Sequence, residues 1–182
     1  MADPTRDTSI GGRRREILEI VARRKAAEKV IEIEEATEQL VFVTLAGAFY
    51  AFEGRFVREI IVVPEITFVP SVPPYILGLF NLRGDVESVF DVRQVFGLPE
   101  TAITRTSRIV LARVGDVSSG ILVDSVEEVA AVAKSRISPP LHTMEKIKAD
   151  FLVGETAFRD KNAVILSIER IWKRVLMEEQ PR

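Results

Sequence analysis

Three carboxylates of this chain have a spacing that could serve acid–base chemistry. Asp85, Glu87 and Asp91 are separated by even numbers of residues, so a continuous strand would place all three carboxylates on one face. Carboxylates grouped in this way can serve general acid–base or metal chemistry. The residues between them are apolar enough to fill the opposite face, which is typical of a half-buried strand with a solvated acidic side. The sequence therefore favours a structural role for these carboxylates and predicts no enzyme.

Other side chains that catalysis or metal binding would need are sparse. The sequence of 182 residues has no cysteine and a single histidine, His142, which has no second ligand at a metal-binding spacing. It contains no glycine-rich phosphate-binding motif and no Gly-x-Ser-x-Gly nucleophile motif. The formal net charge of −2 gives no general attraction for nucleic acid. We therefore expect no cofactor and no bound metal.

Residues 1–38 read as a polar start followed by a helix. Residues 1–12 predict disorder, whereas residues 13–38 lack glycine and proline and carry apolar side chains at roughly helical spacing. The apolar stripe is too weak for a stable lone helix, so we expect this helix to contact the rest of the chain or a second copy. Its basic groups at 13–15 and 23–25 could contact phosphates. No aromatic residue accompanies them, so a solvated helix face or a docking helix is favoured over a nucleic-acid site.

Beyond residue 38 the chain repeats itself. Leu40–Pro70 aligns without a gap on Ile109–Pro139, at a constant offset of 109 − 40 = 69. A short insertion around His142 then changes the offset, so that Gly78 falls on Gly154 at 154 − 78 = 76. A unit of this length is too short to be a typical domain alone, so the repeat predicts two similar subdomains packed together.

Both copies consist of short apolar runs separated by turn residues. The first copy is predicted over residues 40–105 and the second over 106–176, with 177–182 as a tail. Each begins with a hairpin, and the turn pairs are Ala46-Gly47 and Gly115-Asp116. Short antiparallel strands with closely spaced turns, present twice, predict a mainly β protein of two small barrels. A strand of one copy could also complete the barrel of the other.

Four residues are predicted to shape the backbone. Asp91 and Ser167 each precede a short segment with helical composition, where their side chains can cap the exposed N–H groups of a helix. Gly78 and Gly84 are expected at turns or tight strand crossings, where a side chain would not fit. Helix capping is therefore the simplest role of the two polar residues, and backbone geometry that of the two glycines.

The sequence gives no sign of membrane insertion. The longest uncharged run, residues 66–82, is shorter than a spanning helix requires, and three prolines interrupt it. The first residues are polar and lack the apolar core of a secretory signal. Together with the absence of cysteine, these features predict a soluble cytoplasmic protein.

Five motifs that occur in a fixed order resemble those of the CheW-like domain family of bacterial chemosensory coupling proteins. The resemblance covers about residues 39–176. Its most specific part is an Asn-Leu-Arg-Gly turn followed by a Val-Phe-Asp-Val-Arg element. The motifs are Val57-Arg58-Glu59-Ile60, Pro70–Gly78, Asn81-Leu82-Arg83-Gly84, Val89–Arg93 and Gly120–Val129.

The resemblance implies a fold and a role that composition and spacing alone do not. The fold would be two SH3-like five-stranded β-barrel subdomains. The role would be that of a non-catalytic adaptor that links the cytoplasmic tip of a chemoreceptor to a histidine kinase of the CheA type, at membrane receptor arrays. The alternative is a CheW-like regulatory decoy, which binds only one of the two partners and so limits assembly.

The resemblance also implies receptor-binding residues, with Arg83 at their centre. Taken alone, Arg83 would read as a solvated loop arginine. Val57 and Glu59 align with Val126 and Glu128 of the second copy, so a shared structural role of the valine is an open alternative. The residues that the resemblance assigns to the receptor are Arg83, Asn81, Leu82, Gly78, Val57 and Glu59.

The chain departs from the family pattern in three places. Ser88 stands where many members have proline, and Ser167 stands where an aspartate is usual. A serine can still cap a helix, so the second change costs little. The extension before Leu40 is longer than a minimal member carries, which leaves open whether this chain is a specialised coupler or belongs to another motility system.

Overall fold

The computed structural model describes residues 35–140 and 149–178. The predicted disordered start, most of the predicted helix, His142 and the end of the tail lie outside the described residues. At residues 37–38 the helix prediction is wrong, because β1 runs from Thr37 to Leu45. Thr37 and Glu38 pair with Ala133 and Val132 of a neighbouring strand, so sheet hydrogen bonding determines their conformation.

Within the described residues, ten strands form two five-stranded sheets, and one α-helix follows a strand of each sheet. Sheet 1 has the strand order β8-β1-β2-β10-β9, and sheet 2 has the order β3-β6-β7-β5-β4. The strands of sheet 1 are β1 (Thr37–Leu45), β2 (Ala48–Glu53), β8 (Ser125–Ala133), β9 (Leu152–Phe158) and β10 (Lys161–Leu166). The strands of sheet 2 are β3 (Val57–Val62), β4 (Ile76–Leu82), β5 (Asp85–Phe90), β6 (Arg108–Val114) and β7 (Val117–Val123). Helix α1 (Val92–Phe96) follows β5, and helix α2 (Ile168–Glu178) follows β10.

The strands reproduce the sequence repeat. β4 and β9 are related by the offset of 76 residues at both ends, and so are β5 and β10. The two hairpins β1–β2 and β6–β7 occupy equivalent positions at the offset of 69. The prediction that the aligned segments form equivalent strands is therefore confirmed. In the loop after β3, Thr67 forms an isolated β-bridge to Leu79.

The two copies exchange strands between the sheets. Sheet 1 contains β1 and β2 of the first copy with β8, β9 and β10 of the second, and sheet 2 contains the remaining strands. Neither copy therefore forms a sheet by itself. The exchange also corrects the expectation of purely antiparallel pairing, because β2 pairs in parallel with β10 and β5 pairs in parallel with β7. Each of these parallel pairs joins a strand of one copy to a strand of the other.

Three hydrophobic clusters explain why the apolar runs are continuous. On β1, Leu40 and Phe42 point into a cluster made only from sheet 1, while Val41 and Val43 point into a larger cluster. That larger cluster draws on both sheets and both helices, so it lies between them. The third cluster belongs to sheet 2 alone. Because alternate side chains of β1 enter two different cores, both faces of the strand are apolar.

Each sheet closes on itself where a loop backbone crosses a glycine. Thr67 and Leu79 exchange two backbone hydrogen bonds of 2.7 and 2.9 Å beside Gly78, and Ser138 and Glu155 exchange two of 2.9 Å. A Cβ at Gly78 would lie 2.2 Å from the Thr67 carbonyl oxygen, and Gly78 also has a φ of +145°. The equivalent loop residues Thr67 and Ser138 are offset by 138 − 67 = 71 residues, whereas the sequence alignment uses 69. The structural alignment of the two copies therefore shifts by two residues before Pro70.

We expect Gly78→Ala to lower the free energy of unfolding by about 3 kcal/mol, because it adds a backbone clash to a strained φ. Gly97 is the matched control, since its φ of +67° is also left-handed but its Cβ would meet nothing within 4 Å. Gly97→Ala should cost about 1 kcal/mol, the strain alone. Urea denaturation of both variants measures the difference. Equal losses would show that the crossing is not tight in solution.

Candidate partner-binding surface

Arg83 lies on the tight turn between β4 and β5. Its φ of 54° is left-handed, and the same conformation recurs at the equivalent Arg159, with a φ of 52°. The turn is supported by its neighbours, because the Gly84 N–H donates to the Asn81 side-chain oxygen at 3.1 Å. Asn81 is exposed, whereas Leu82 is half-buried against the core of sheet 2. The turn therefore directs Arg83 outward while Leu82 anchors it.

The guanidinium of Arg83 forms a bidentate ion pair with Glu59 of β3. Nη1 donates to Oε2 at 3.0 Å and Nη2 donates to Oε1 at 2.6 Å. The Arg83 side chain is nevertheless 73% exposed. An arginine has five N–H donors, and this geometry uses two of them. Arg83 is thus oriented by Glu59 but keeps donors for another group.

A groove of about 680 Å³ lies beside this ion pair. We call it the junction groove, because β1, β3 and β8 line it and these strands belong to both sheets. Its apolar lining is Val41, Val57, Ile60 and Val129, and its charged lining is Glu38, Arg55, Arg58, Glu59 and Lys134. The groove therefore combines an apolar surface with charges of both signs.

A β-bulge positions the groove residues of β3. Val57 pairs with Ala112 and Glu59 with Leu111, so Arg58 is the extra residue. The second copy has the same irregularity, since Val126 pairs with Val43 and Glu128 with Phe42. Bulges reorient side chains and are frequent beside binding sites. Val57 therefore has a structural role that it shares with Val126, alongside its place in the groove.

The second copy holds its equivalent arginine differently. Arg159 Nη1 lies 2.9 Å from Glu127 Oε2, so its partner is the bulge residue of β8. The guanidinium also lies over the rings of Phe158 and Phe49, at 5.0 and 5.8 Å from their centroids. Aromatic faces attract a guanidinium and hold it against the surface. Arg83 and Arg159 are therefore equivalent in backbone but different in surroundings.

The carboxylates that suggested acid–base chemistry do not form one cluster. Asp85 is exposed at the start of β5, and Glu87 accepts a hydrogen bond of 3.1 Å from Ser118 Oγ. Asp91 is buried at the end of the strand, where its Oδ1 accepts from the backbone N–H of Arg93 at 2.9 Å. Within residues 35–140 and 149–178, no group of three His, Asp or Glu side chains could hold a metal ion.

Both predicted capping residues begin helices. Asp91 precedes α1, which ends at Gly97 with a left-handed φ of 67°. Ser167 precedes α2, and its Oγ accepts a hydrogen bond of 3.3 Å from the Arg170 N–H. The two helices occupy equivalent positions in the repeat, so the same type of cap starts both.

Sequence reasoning missed a buried arginine that joins the two sheets. Arg93 is 2% exposed; its Nε donates to Asp91 Oδ1 at 2.8 Å and its Nη1 to Asp124 Oδ1 at 2.5 Å. Asp124 Oδ2 also accepts from the Ala46 N–H at 2.7 Å. Burial alone lowers the pKa of Arg93, but Asp91 and Asp124 raise it by more, so the guanidinium stays charged. The available signal was a basic residue in the first turn of a helix, which the helix dipole disfavours.

A second buried charge lies near the junction groove. Glu53 is 3% exposed and pairs with Arg55, whose own side chain is 64% exposed. Burial raises the pKa of Glu53, and the pairing with Arg55 partly opposes that shift. The ion pair therefore fixes the base of the short turn that leads into β3.

The chain is thus a β-domain in which two five-stranded sheets exchange strands and line a common groove. Comparison with known proteins gives its family. The CheW-like domain matches residues 39–175. The chain belongs to this family. It is 36% identical over 115 residues to the chemotaxis protein CheW of Bacillus subtilis strain 168, covering 63% of this chain and 73% of that protein.

Two further relatives support the assignment. The chemotaxis protein CheW of Helicobacter pylori is 27% identical over 161 residues, covering 87% of this chain and 97% of that protein. The crystal structure of the scaffolding protein TtCheW from Thermoanaerobacter tengcongensis superposes with a TM-score of 0.67 at 28% identity, covering 73% of this chain and 86% of that one. Among the described residues, no helix is long and apolar enough to cross a membrane.

The buried ion pairs of Arg93 and the exposed ion pair of Arg83 should differ in their effect on stability. Arg93→Met leaves Asp91 buried without its partner, so we expect the free energy of unfolding to fall by about 3 kcal/mol. Arg83→Met removes an exposed pair and should cost less than about 1 kcal/mol. Chemical denaturation of both variants tests this. Similar losses would mean that Arg93 does not fasten the sheets as the structure indicates.

Proposed function

We propose that this protein is a non-catalytic adaptor of bacterial chemosensory signalling. It would join the cytoplasmic tip of a chemoreceptor to a CheA-type histidine kinase at membrane receptor arrays. The observation that carries the proposal is the CheW-like match over residues 39–175, together with an oriented but accessible Arg83 beside the junction groove. The relatives named above, which are chemotaxis and scaffolding proteins, support the same role.

The SH3-like barrel architecture is part of this proposal. Each sheet has five strands, and a loop residue following one edge strand bonds to the strand at the opposite edge. Thr67 follows β3 and reaches β4, while Ser138 follows β8 and reaches β9. Closure of this kind supports two barrels, each containing strands of both copies, and leaves their outer surfaces free for partners.

The receptor site is proposed to centre on Arg83 and the junction groove. An amphipathic receptor helix could place its apolar face against Val57 and Ile60, and a helix carboxylate or carbonyl could accept from the free donors of Arg83. Glu59 would hold the guanidinium in position before binding. Asn81 and Leu82 act by supporting the turn, and Gly78 acts by permitting the tight crossing beneath it.

The adaptor and the decoy predict different complexes. An adaptor should form a ternary complex in which receptor-tip fragment, this chain and kinase elute together from size-exclusion chromatography. A decoy should bind one partner and exclude the other. We expect the ternary complex. The kinase regulatory domain should co-elute with the receptor-tip fragment only when this chain is present. A competition between receptor and kinase for the chain would favour the decoy.

We expect Arg83→Ala to weaken binding of a receptor-tip fragment by tens-fold, since central interface arginines often carry about 2 kcal/mol or more. The thermal midpoint should change little, because the Arg83–Glu59 pair is exposed. Kinase binding should also change little, because Arg83 is proposed to bind the receptor. Isothermal titration measures both affinities.

Arg159→Ala is the matched control, because it removes the equivalent arginine of the second copy from a surface where aromatic rings already engage it. It should affect receptor binding less than Arg83→Ala. Wild-type receptor affinity in Arg83→Ala, or an equal loss in the two variants, would contradict the assignment of the site to the first copy.

A further inference from the structure

Glu53 is a buried carboxylate at the end of β2, and its counter-ion Arg55 lies on the surface. The Glu53 side chain is 5% exposed, whereas that of Arg55 is 64% exposed. Arg55 Nη2 donates to Glu53 Oε1 from the short turn Gly54–Phe56, which leads into β3. Arg55 also lines the junction groove. A group shielded from solvent therefore holds a side chain that a partner can reach.

The second copy lacks this arrangement. Glu53 is equivalent to Leu122 at the offset of 122 − 53 = 69, and Arg55 is equivalent to Asp124 at 124 − 55 = 69. Leu122 is 2% exposed and packs in the core of sheet 2. The shared backbone thus accepts an apolar side chain at this position, and the fold does not require a carboxylate there. Because a buried charge is costly unless it is paired, the pairing with Arg55 is the feature that distinguishes the first copy.

The surroundings of Glu53 favour its neutral form. Burial is the largest cause and raises the pKa of Glu53, while the pairing with Arg55 opposes that shift. Glu38 of β1 and Glu169 in the first turn of α2 raise the pKa further, so that it lies above the ordinary value of 4.5. β10, which also flanks β2, contributes the apolar Leu166 at this end of the sheet. Glu53 therefore accepts a proton at a less acidic pH than an unperturbed glutamate.

We propose that Glu53 is a proton-sensitive positioning residue, which holds Arg55 when it is ionised and releases it into the junction groove when it is protonated. A neutral carboxyl has no charge to attract the guanidinium, and it gains an O–H donor where it had only acceptors. The guanidinium also lies 4.7 Å from the centroid of the Phe56 ring, which keeps the released side chain at the groove. Protonation thus frees a cation on a surface that partners can contact.

The release would change how the junction groove binds an acidic partner. When Arg55 leaves Glu53, its N–H donors become available to a carboxylate of that partner. The affinity for an acidic helix should therefore rise as the pH falls through the midpoint of Glu53. This consequence rests on the proposed receptor site, whereas the release of Arg55 itself does not.

NMR of the full-length protein follows both residues directly. The Glu53 carboxyl ¹³C signal is identified by its absence in Glu53→Gln, and the Arg55 Nε–H signal by its absence in Arg55→Met. We expect both signals to change with pH at one shared midpoint above 4.5. At neutral pH, Glu53→Gln should already show the Arg55 signal close to the position that the wild type reaches in acid. Glu59→Gln is the matched control, because it neutralises another arginine-paired carboxylate of the groove and should leave the Arg55 transition in place.

Stability gives a second readout, and its sign follows from the raised pKa of Glu53. The contribution of Glu53 to the free energy of unfolding is fully present below its pKa in the unfolded chain and is lost as the pH rises through its folded-state pKa. Urea denaturation should therefore show the wild type losing stability relative to Glu53→Gln between mildly acidic and neutral pH. Arg55→Met removes the charge that opposes the effect of burial, so the Glu53 midpoint should move to higher pH in that variant.

An Arg55 signal without a transition at the Glu53 midpoint would overturn the proposal. So would a Glu53 midpoint at or below 4.5, or the same midpoint in wild type and Arg55→Met. The affinity for a receptor-tip fragment should rise about two- to fivefold as the pH falls through the midpoint, and this rise should be absent from Glu53→Gln. Equal pH dependence in the two proteins would refute the consequence for binding. A fragment that binds at no pH would contradict the receptor site, and the NMR titration would still decide the release of Arg55.

Discussion

The exchange of strands between the two copies is the constraint on which the rest of the structure depends. Because sheet 1 takes its hairpin β1–β2 from the first copy and β8, β9 and β10 from the second, neither sheet can form until both copies are present. The large core between the sheets strengthens this dependence, since it is made from alternate residues of strands in both. The junction groove follows directly, because it lies where β3 of sheet 2 meets β1 and β8 of sheet 1. A partner bound there would contact both sheets at once.

Arg93 explains how two exchanged sheets keep one relative position. It lies in the first turn of α1 and pairs with Asp91 and Asp124, and Asp124 in turn accepts a hydrogen bond from the Ala46 N–H of the β1–β2 turn. One buried guanidinium thus links a helix cap, the end of β7 and a hairpin of the other sheet. Buried ion pairs are weak sources of net stability but are costly to break. The network therefore acts mainly by making wrong arrangements of the sheets unfavourable.

Local patterns predicted most strands, both hairpin turns, both helix starts and the duplication, because these depend on residues close together in sequence. Relations between distant segments were predicted less well. The pairing of Thr37 with Ala133 joins residues far apart, so composition alone assigned Thr37 to a helix. The parallel pairs and the role of Asp124 likewise arise from the exchange, which a repeat permits but does not require. Arg83 could be distinguished from Arg159 only through the family motif around it, because the two turns have the same backbone conformation.

The differences between the copies are more informative about function than the fold that they share. The duplicated backbone provides two arginine turns, two bulges and two glycine crossings, so these features alone favour neither side. Side chains break the equivalence: Arg83 stays accessible with Glu59, whereas Arg159 lies over two aromatic rings. In the same way, Ser88 and Ser119 line a small pocket, whereas their equivalents Val164 and Tyr50, at offsets of 76 and 69, are buried in the large core. The proposed adaptor role requires two different surfaces, and different side chains on the backbone that the two copies share supply them at little cost to the core.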